Sequence, residues 1–190
     1  MPTKTSSSRK SSPARRTSGS PRPEVLVSAE KLARKTREIG RRIARDYAGK
    51  ELVLVGVLKG AFIFMADLAR AIDLPVSCDF LRVSSYKGKE TTGSVRFEFD
   101  LTQSIEGKHV ILVEDIVDTG ITAAAVIAQL QAKKPASLAL CALMRKPSRE
   151  KVAVPIDYLG FTIPDRFVIG YGLDFDGRYR NLPYLGVLKA

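Results

Sequence analysis

The most constraining feature of the sequence is the stretch from Val110 to Ala123, where an apolar run ends in two adjacent acids and continues as Asp-Thr-Gly-Ile-Thr. The apolar run predicts a buried β-strand, and the small and hydroxyl-bearing residues after it predict a short turn that opens a helix. Backbone N–H groups at the start of a helix can bind phosphate, and carboxylates can hold hydroxyl groups or a cation. The stretch therefore predicts a site for a phosphorylated sugar at the end of a strand.

Each part of this stretch also has a simpler interpretation. Glu114 and Asp115 can be a solvated acid pair at a strand end, and Asp118 can be the N-cap of the next helix. The combination with Thr119 to Thr122 is more specific than its parts, because it offers successive N–H groups and two hydroxyls at a positive helix end. The Gly-x-x-x-x-Gly-Lys-Ser/Thr spacing of a Walker loop is absent, so nucleoside triphosphate hydrolysis is not favoured.

The rest of the chain predicts strands that alternate with helices. A helix with apolar residues at helical spacing is predicted to begin after Ser28, a plausible N-cap, and to end near Gly49. Two further helices are predicted at Ala61 to Ile72 and Ala123 to Leu130. The other predicted strands are Glu51 to Val57, Val76 to Val83, Val95 to Phe99, Ser137 to Met144, Tyr158 to Phe161 and Phe167 to Tyr171. This alternation predicts an α/β fold with a mostly parallel, twisted sheet flanked by helices.

Ligands bind an open parallel sheet at the carboxyl ends of its strands, so the segments that follow the strands should meet on one side. They are Leu58-Lys59-Gly60, the loop from Ser84 to Ser94, the acidic stretch, and Arg145-Lys146. The loop is polar, contains two glycines and lacks apolar anchors, which predicts a mobile lid. Cationic, acidic and hydroxyl groups would then converge, as a polyphosphate ligand with a cation requires.

The composition of the 190-residue chain, 45% hydrophobic and 27% charged, suits one globular domain. No stretch approaches the roughly 18 to 20 consecutive apolar residues of a membrane-spanning helix, and no apolar signal-peptide core follows the first methionine. Cys78 and Cys141 each lie in an apolar, strand-like run. This pattern favours buried, reduced thiols over a disulfide or a nucleophile, and hence a cytoplasmic location.

The net charge of +11 is concentrated at the beginning of the chain, because residues 1–23 carry six basic residues and no acid. The remaining chain has 25 basic and 20 acidic residues. The first 23 residues are rich in Ser, Pro and Arg and nearly devoid of large apolar residues, which predicts disorder. We therefore expect a disordered basic tail at 1–23 and one domain at 24–190. The tail can contact nucleic acid non-specifically, act as a transit peptide, or only improve solubility.

The stretch from Val110 to Ala123 resembles the phosphoribosyl-pyrophosphate-binding motif of type I phosphoribosyltransferases. Further segments are similar, in order and spacing, to the hypoxanthine (guanine) phosphoribosyltransferases: Gly56 to Gly60, Ser85 to Gly88, Lys146 to Arg149, Phe161 to Asp174, and Tyr179-Arg180. The resemblance covers about residues 24 to 190. It implies a Rossmann-like core with a small hood built from the N- and C-terminal segments, and a homodimer or homotetramer.

The resemblance also implies the reaction. A 6-oxopurine would displace pyrophosphate from the anomeric carbon of phosphoribosyl pyrophosphate, with Mg²⁺, to give a nucleoside monophosphate. Asp118 would be the general base or acid at purine N7, and Lys146 would donate a hydrogen bond to the 6-oxo group. A transition state with oxocarbenium character makes positioning and charge stabilisation more important than a covalent nucleophile.

The other site residues are implied in the same way. Residues implied to bind phosphoribosyl pyrophosphate are Leu58, Lys59, Gly60, Glu114, Asp115, Asp118, Thr119, Gly120, Ile121, Thr122 and Arg180. Residues implied to bind the purine are Lys146, Phe167, Val168 and Asp174. Glu114, Asp115 and Asp174 would be magnesium ligands, and Ser85 and Tyr86 would belong to a lid. In this family the peptide that corresponds to Leu58-Lys59 is cis.

Two alternatives stay open at this point. The first is a type I phosphoribosyltransferase for another base, such as xanthine, uracil or adenine; Lys146 argues against adenine, which presents an amino donor where the 6-oxopurines present a carbonyl. The second is an RNA-binding regulator on the same fold, suggested by the net charge and the basic first helix. Steep salt dependence of RNA binding without pyrophosphate release would favour it. We expect no specific nucleic-acid partner and no membrane association, and the ranking of hypoxanthine, guanine and xanthine is open.

Overall fold

The computed structural model describes residues 23–85 and 95–188. The predicted basic tail, apart from its last residue, lies outside this part of the chain, as do Tyr86 and the rest of the predicted lid up to Ser94. In chain order the elements are β1 (Glu24–Val27), α1 (Ala29–Asp46), β2 (Leu52–Leu58), α2 (Phe62–Ala71), β3 (Val76–Ser85), β4 (Val95–Phe99), β5 (His109–Val117), α3 (Ile121–Gln131), β6 (Ser137–Arg145), a 3₁₀ turn (Pro147–Arg149), β7 (Tyr158–Thr162), β8 (Val168–Ile169) and β9 (Leu185–Val187).

Six strands form the central sheet in the order β4-β3-β2-β5-β6-β7. Every neighbouring pair is parallel except β3 with β4, which is antiparallel at the edge. The predicted α/β fold with a mostly parallel sheet is therefore confirmed. Because Gly56 of β2 is level with Val113 of β5, the end of β2 lies beside the acids of β5. The prediction that this strand stops at the acids is wrong: Glu114, Ile116 and Val117 still pair with β6, so β5 continues to Val117.

The strands alternate between two apolar layers. In β2, Leu52 and Leu54 pack with α1 and α2 on one face, whereas Val53 and Val55 pack with α3 on the other. The run from Val110 to Val113 is fully buried. Because a fully buried aliphatic side chain stabilises a fold by about 1.5–3 kcal/mol relative to exposure, this run fixes the position of the acids that follow it.

A second, smaller sheet has the order β1-β9-β8, and both of its pairings are antiparallel. It joins strands from the two ends of the described chain, which agrees with the hood expected from the N- and C-terminal segments. Neither β1 nor β9 was predicted, because strands of four and three residues are too short to show a period. This sheet holds Val168 beside the central sheet's carboxyl edge.

Most predicted elements exist with bounds that differ by a few residues. Ser28 caps α1 as predicted, and its hydroxyl accepts a hydrogen bond from the Lys31 N–H. The predicted strand from Phe167 to Tyr171 is too long: only Val168–Ile169 is a strand. Gly170 has φ +92 and Tyr171 has φ +48, and these left-handed conformations end the extended chain.

The prediction of two buried cysteines is half wrong. Cys141 is buried, and burial raises the pKa of its thiol well above the usual range. Cys78 is exposed. It lies in β3 before that strand meets β4, whose pairing begins only at Arg82, so the outer edge of β3 is open at Cys78 in the described part of the chain. Both thiols are free.

Among the helices of residues 23–85 and 95–188, we find none with the length and apolar character needed to cross a bilayer.

Candidate active site

A cavity of about 280 Å³ lies at the carboxyl end of β5, where that strand turns into α3. It is bounded by Val57 at the end of β2, by Val83 of β3, and by residues of the acidic stretch. The lining residues from that stretch are Glu114, Asp115, Ile116, Val117, Asp118, Thr119, Gly120, Thr122 and Ala123. The structure therefore brings the predicted acid pair, Asp118 and the predicted phosphate-binding turn around one space.

Of the two adjacent carboxylates, Glu114 is buried and Asp115 is half-buried. Only 4% of Glu114 is exposed, and burial raises the pKa of its carboxyl well above the usual range, with a further contribution from the charge of Asp115. Burial also raises the pKa of Asp115 to about 6, although the Ile116 N–H, which donates to Asp115 Oδ1 at 3.0 Å, opposes the rise. Neither acid forms a salt bridge within the described residues. Adjacent buried carboxylates without a cation attract a cationic or hydroxyl-rich ligand.

The loop after β2 touches the acid pair through Gly60. A Cβ atom at Gly60 would lie 1.7 Å from Asp115 Oδ2, so only glycine permits this approach. The preceding Leu58-Lys59 peptide is cis, as the family resemblance implied, and Lys59 is exposed. Backbone groups of this loop therefore reach the edge of the cavity next to Asp115.

The turn before α3 has the geometry of an anion-binding site. Gly120 occupies the N-cap position with φ +80, and Thr119 Oγ1 accepts a hydrogen bond from the Ile121 N–H at 3.4 Å. The first N–H groups of α3 have no carbonyl partner within the helix and carry its positive dipole end. A phosphate monoester at this turn would meet backbone donors and the hydroxyls of Thr119 and Thr122.

The predicted purine residues lie on neighbouring segments rather than on the cavity wall. Lys146, at the end of β6, is only 8% exposed, and its Nζ lies 3.6 Å from Asp165 Oδ1. The ring of Phe167 is 58% exposed and packs edge to face on Phe175 at a centroid distance of 5.7 Å. Val168 is buried in β8. Lys146 contacts Asp165, two residues before Phe167, so the buried lysine and the exposed ring lie on adjoining segments. Such a ring and cation can receive a flat ligand that carries a carbonyl group.

Asp174 and Arg180 form a close pair beside the loop of Gly60. Arg180 Nη2 lies 2.6 Å from Asp174 Oδ1, and Arg180 Nη1 donates to the Gly172 carbonyl at 2.6 Å. A Cβ atom at Gly172 would lie 2.1 Å from the Gly60 carbonyl oxygen, so these two loops are in contact. Arg180 and Asp174 also influence the pKa of Asp115, the first lowering it and the second raising it.

Two charged residues near the site were given no role from the sequence. Arg149 Nε lies 2.7 Å from Asp118 Oδ1, and Arg149 Nη1 lies 3.5 Å from Asp165 Oδ2. Arg149 and Asp165 both lie in segments that carry the family resemblance, Lys146 to Arg149 and Phe161 to Asp174. The sequence did not indicate that the two residues contact each other or Asp118. Of the predicted lid residues, Ser85 ends β3 and Tyr86 lies outside the described residues.

A mostly parallel α/β sheet that presents an acid pair and a helix-opening turn with free N–H groups at one edge is typical of the sugar-phosphate-binding enzymes. Comparison with known families is specific: the phosphoribosyl transferase domain matches residues 24–176, and the chain belongs to that family.

The similar relatives and solved structures are hypoxanthine or hypoxanthine-guanine phosphoribosyltransferases. The chain is 47% identical over 166 residues to the hypoxanthine phosphoribosyltransferase of Salmonella typhimurium. The matched region covers 86% of this chain and 93% of that relative. It is 47% identical over 167 residues to the hypoxanthine-guanine phosphoribosyltransferase of Staphylococcus aureus, covering 87% and 93%. A crystal structure of the Staphylococcus aureus hypoxanthine phosphoribosyltransferase superposes with a TM-score of 0.84 at 47% identity, covering 87% of this chain and 91% of that one. The resemblance inferred from the motifs, and with it the transferase class, is confirmed.

Proposed function

We propose that this protein transfers the phosphoribosyl group of phosphoribosyl pyrophosphate to hypoxanthine and guanine, giving IMP or GMP and pyrophosphate in purine salvage. One observation carries the proposal. The cavity at the end of β5 joins a buried acid pair to a phosphate-binding turn, in a chain 47% identical to a hypoxanthine phosphoribosyltransferase. A hypoxanthine phosphoribosyltransferase from Trypanosoma cruzi in complex with the product IMP superposes with a TM-score of 0.82 at 42% identity.

The sugar phosphate would occupy the cavity. Thr119 to Thr122 would bind the 5′-phosphate through backbone N–H groups and hydroxyls, and Glu114 and Asp115 would accept hydrogen bonds from the ribose hydroxyls. The pyrophosphate would extend toward Leu58, Lys59 and Gly60, whose backbone lies next to Asp115. Arg180 would meet its negative charge, since guanidinium groups bind phosphate oxygens in pairs.

Magnesium fits the donors present. Mg²⁺ prefers hard oxygen ligands and is usually bound by one or two carboxylates together with substrate phosphates and water. No set of three or more His, Cys, Asp or Glu suited to hold a metal occurs in the described part of the chain, so the protein alone does not form a closed metal site. Glu114 and Asp115 would hold one ion with the ribose and pyrophosphate oxygens, and Asp174 would hold a second. Bound Mg²⁺ would offset the negative charge of the departing pyrophosphate.

The purine would lie between Phe167 and the cavity. The Phe167 ring would stack on the base, the Val168 backbone would bind its edge, and Lys146 Nζ would donate to the 6-oxo group. Asp118 would take the N7 proton as the C–N bond forms at N9, or return it in the reverse direction. A cation aimed at the 6-oxo group stabilises the negative character that the carbonyl gains as N7 is deprotonated.

The proposed function also assigns roles to parts of the protein outside the cavity. Residues 24–190 would form the catalytic domain and residues 1–23 a disordered tail. The loop containing Ser85 and Tyr86 would close over the reacting centre and exclude water from the electrophilic sugar. The protein would act in the cytoplasm as a homodimer or homotetramer. In a similar solved structure, a Trypanosoma cruzi hypoxanthine phosphoribosyltransferase with a TM-score of 0.83 at 41% identity, the C-terminal region has a role in the oligomeric state and the activity of that protein.

Pyrophosphate release tests the proposal directly. Purified protein is incubated with phosphoribosyl pyrophosphate and Mg²⁺, and pyrophosphate is measured separately with hypoxanthine, guanine, xanthine, adenine and uracil. We expect release with hypoxanthine and guanine, and IMP or GMP as the co-product. Release with xanthine or uracil alone would assign another base. Absence of release with every base, together with salt-dependent RNA binding, would favour the regulator instead.

A further inference from the structure

The turn that carries Arg149 is fastened on both sides to the residues that flank Asp118. Before the turn, the Lys146 N–H donates to the Val117 carbonyl at 3.0 Å. After it, the N–H groups of Lys151 and Val152 both donate to the Thr119 carbonyl, at 2.9 and 3.0 Å. The backbone of Arg149 is therefore held directly beside Asp118 by bonds that do not involve its side chain.

The Arg149 side chain joins two carboxylates. Its Nε lies 2.7 Å from Asp118 Oδ1, its Nη1 lies 3.5 Å from Asp165 Oδ2, and Asp165 Oδ1 lies 3.6 Å from Lys146 Nζ. These contacts form a chain of alternating charge, Asp118, Arg149, Asp165 and Lys146, with no net charge. A lysine at position 149 cannot reproduce this link, because only a guanidinium presents several donors in a fixed plane.

The contact with Asp118 covers one carboxylate oxygen and leaves the rest of the group accessible. Oδ1 is buried, and its contact with the Arg149 guanidinium is an ion pair. The Asp118 side chain as a whole is 38% exposed and lines the cavity. Oδ2 is thus the oxygen left to meet a ligand, while Oδ1 faces the guanidinium.

The two ends of this chain are the groups that the proposed function assigns to one edge of the purine. N7 and O6 of a 6-oxopurine lie side by side on that edge. We propose that Arg149 is a positioning residue: through Asp165 it fixes Asp118 and Lys146 at the separation that the N7–O6 edge requires. This inference rests on the proposed function. Arg149 contacts neither the base nor the sugar, and its effect is exerted through Asp118 and Asp165.

The role predicted for Arg149 concerns orientation more than stability. The Arg149 side chain is 47% exposed, and exposed ion pairs contribute little to folding free energy. A carboxylate displaced by even about 1 Å can lower the rate of a positioned reaction by roughly two orders of magnitude. Replacement of Arg149 should therefore lower kcat/KM strongly while changing the melting midpoint only slightly.

The test compares Arg149→Gln, Arg149→Lys and the control Arg166→Gln. Arg166 is also partly exposed and, within residues 23–85 and 95–188, forms one ion pair, with Glu24 at 3.4 Å, and none with Asp118. We expect Arg149→Gln to lower kcat/KM for hypoxanthine roughly 10- to 100-fold, with KM for phosphoribosyl pyrophosphate within about twofold of wild type. Arg149→Lys should recover only part of the loss, and Arg166→Gln should behave as wild type.

A double-mutant cycle with Asp165→Asn provides a second readout. Because both residues act through one chain of contacts, we expect the loss in the double variant to be smaller than the product of the two single losses. An Arg149→Gln enzyme that keeps kcat/KM for hypoxanthine within about twofold of wild type would overturn the inference. Equal losses for both substrates, or a melting midpoint lower by more than about 5 °C, would show a structural role and also overturn it. A wild-type protein that forms no nucleotide would instead refute the proposed function, and the inference with it.

Discussion

The contact between Gly120 and Val152 gives a sharp test of how the turn before α3, proposed to bind phosphate, is held in place. Gly120 has φ +80, and a Cβ atom there would lie 1.9 Å from the Val152 carbonyl oxygen. An L-residue in the left-handed region costs about 1–2 kcal/mol. Because the clash is with backbone, the segment at Val152 has to move away from the turn.

That movement breaks specific bonds, so its cost can be worked out. The Lys151 and Val152 N–H groups donate to the Thr119 carbonyl, and each such hydrogen bond contributes about 0.5–1.5 kcal/mol. We therefore expect Gly120→Ala to lower the free energy of unfolding by about 3 kcal/mol in total. We also expect KM for phosphoribosyl pyrophosphate to rise, since the turn that would bind the 5′-phosphate is displaced.

Gly107→Ala is the matched control. Gly107 has φ +73 and no heavy atom within 4 Å of the Cβ position, so the substitution isolates the conformational cost of about 1–2 kcal/mol. Urea unfolding followed by circular dichroism measures both variants, and the change in midpoint at constant slope gives the difference. Equal destabilisation by the two substitutions would refute the argument that the Val152 segment buttresses the turn.

Three further outcomes follow from the site. The pKa of Asp115 is about 6 in the folded protein, above its usual 3.8. Between about pH 4 and 6 the folded protein therefore binds one more proton than the unfolded chain. In metal-free buffer, the free energy of unfolding should fall as pH rises through that window. Asp115→Asn should remove this penalty and raise the free energy of unfolding at pH 7 by up to about 3 kcal/mol; urea midpoints that do not change with the substitution would contradict it. Lys146→Ala should raise KM for hypoxanthine roughly 10- to 100-fold through loss of a charged hydrogen bond, and an equal rise in KM for phosphoribosyl pyrophosphate would count against its assignment to the base. Asp118→Asn should lower kcat by roughly 10²- to 10⁴-fold with a nearly unchanged melting midpoint, and near-normal turnover would remove Asp118 from acid-base catalysis.

The central sheet was predictable because its strands are long and continuously apolar. A run such as Val110 to Val113 admits few alternatives to a buried strand, and a helix between strands, as in β2-α2-β3 and β5-α3-β6, favours parallel pairing. The exposure of the Cys78 side chain was not predictable in this way. Whether an apolar strand residue is covered depends on the order of strands and on how far the neighbouring strand extends, and both are properties of the folded chain.

The residues of the candidate site were likewise predictable in part. The acid pair, Asp118 and the turn through Thr122 are contiguous, so one strand end is enough to bring them together. The contact of Arg149 with Asp118 spans 31 positions and depends on how a short 3₁₀ turn folds back on the turn before α3. The approach of Gly60 to Asp115 likewise depends on β2 and β5 being neighbours in level register. Local patterns do not encode such contacts.

The hood sheet has a consequence for how the protein is made. The central sheet needs no strand later than β7, but β8, which follows Phe167, pairs with β9 from late in the described chain, and β9 in turn pairs with β1 from its beginning. The core and the turn before α3 can therefore fold while the segment proposed to bind the base still awaits the pairing of β9 with β1 and β8. The proposed binding of the sugar phosphate and the proposed recognition of the base would then depend on parts of the fold that form separately.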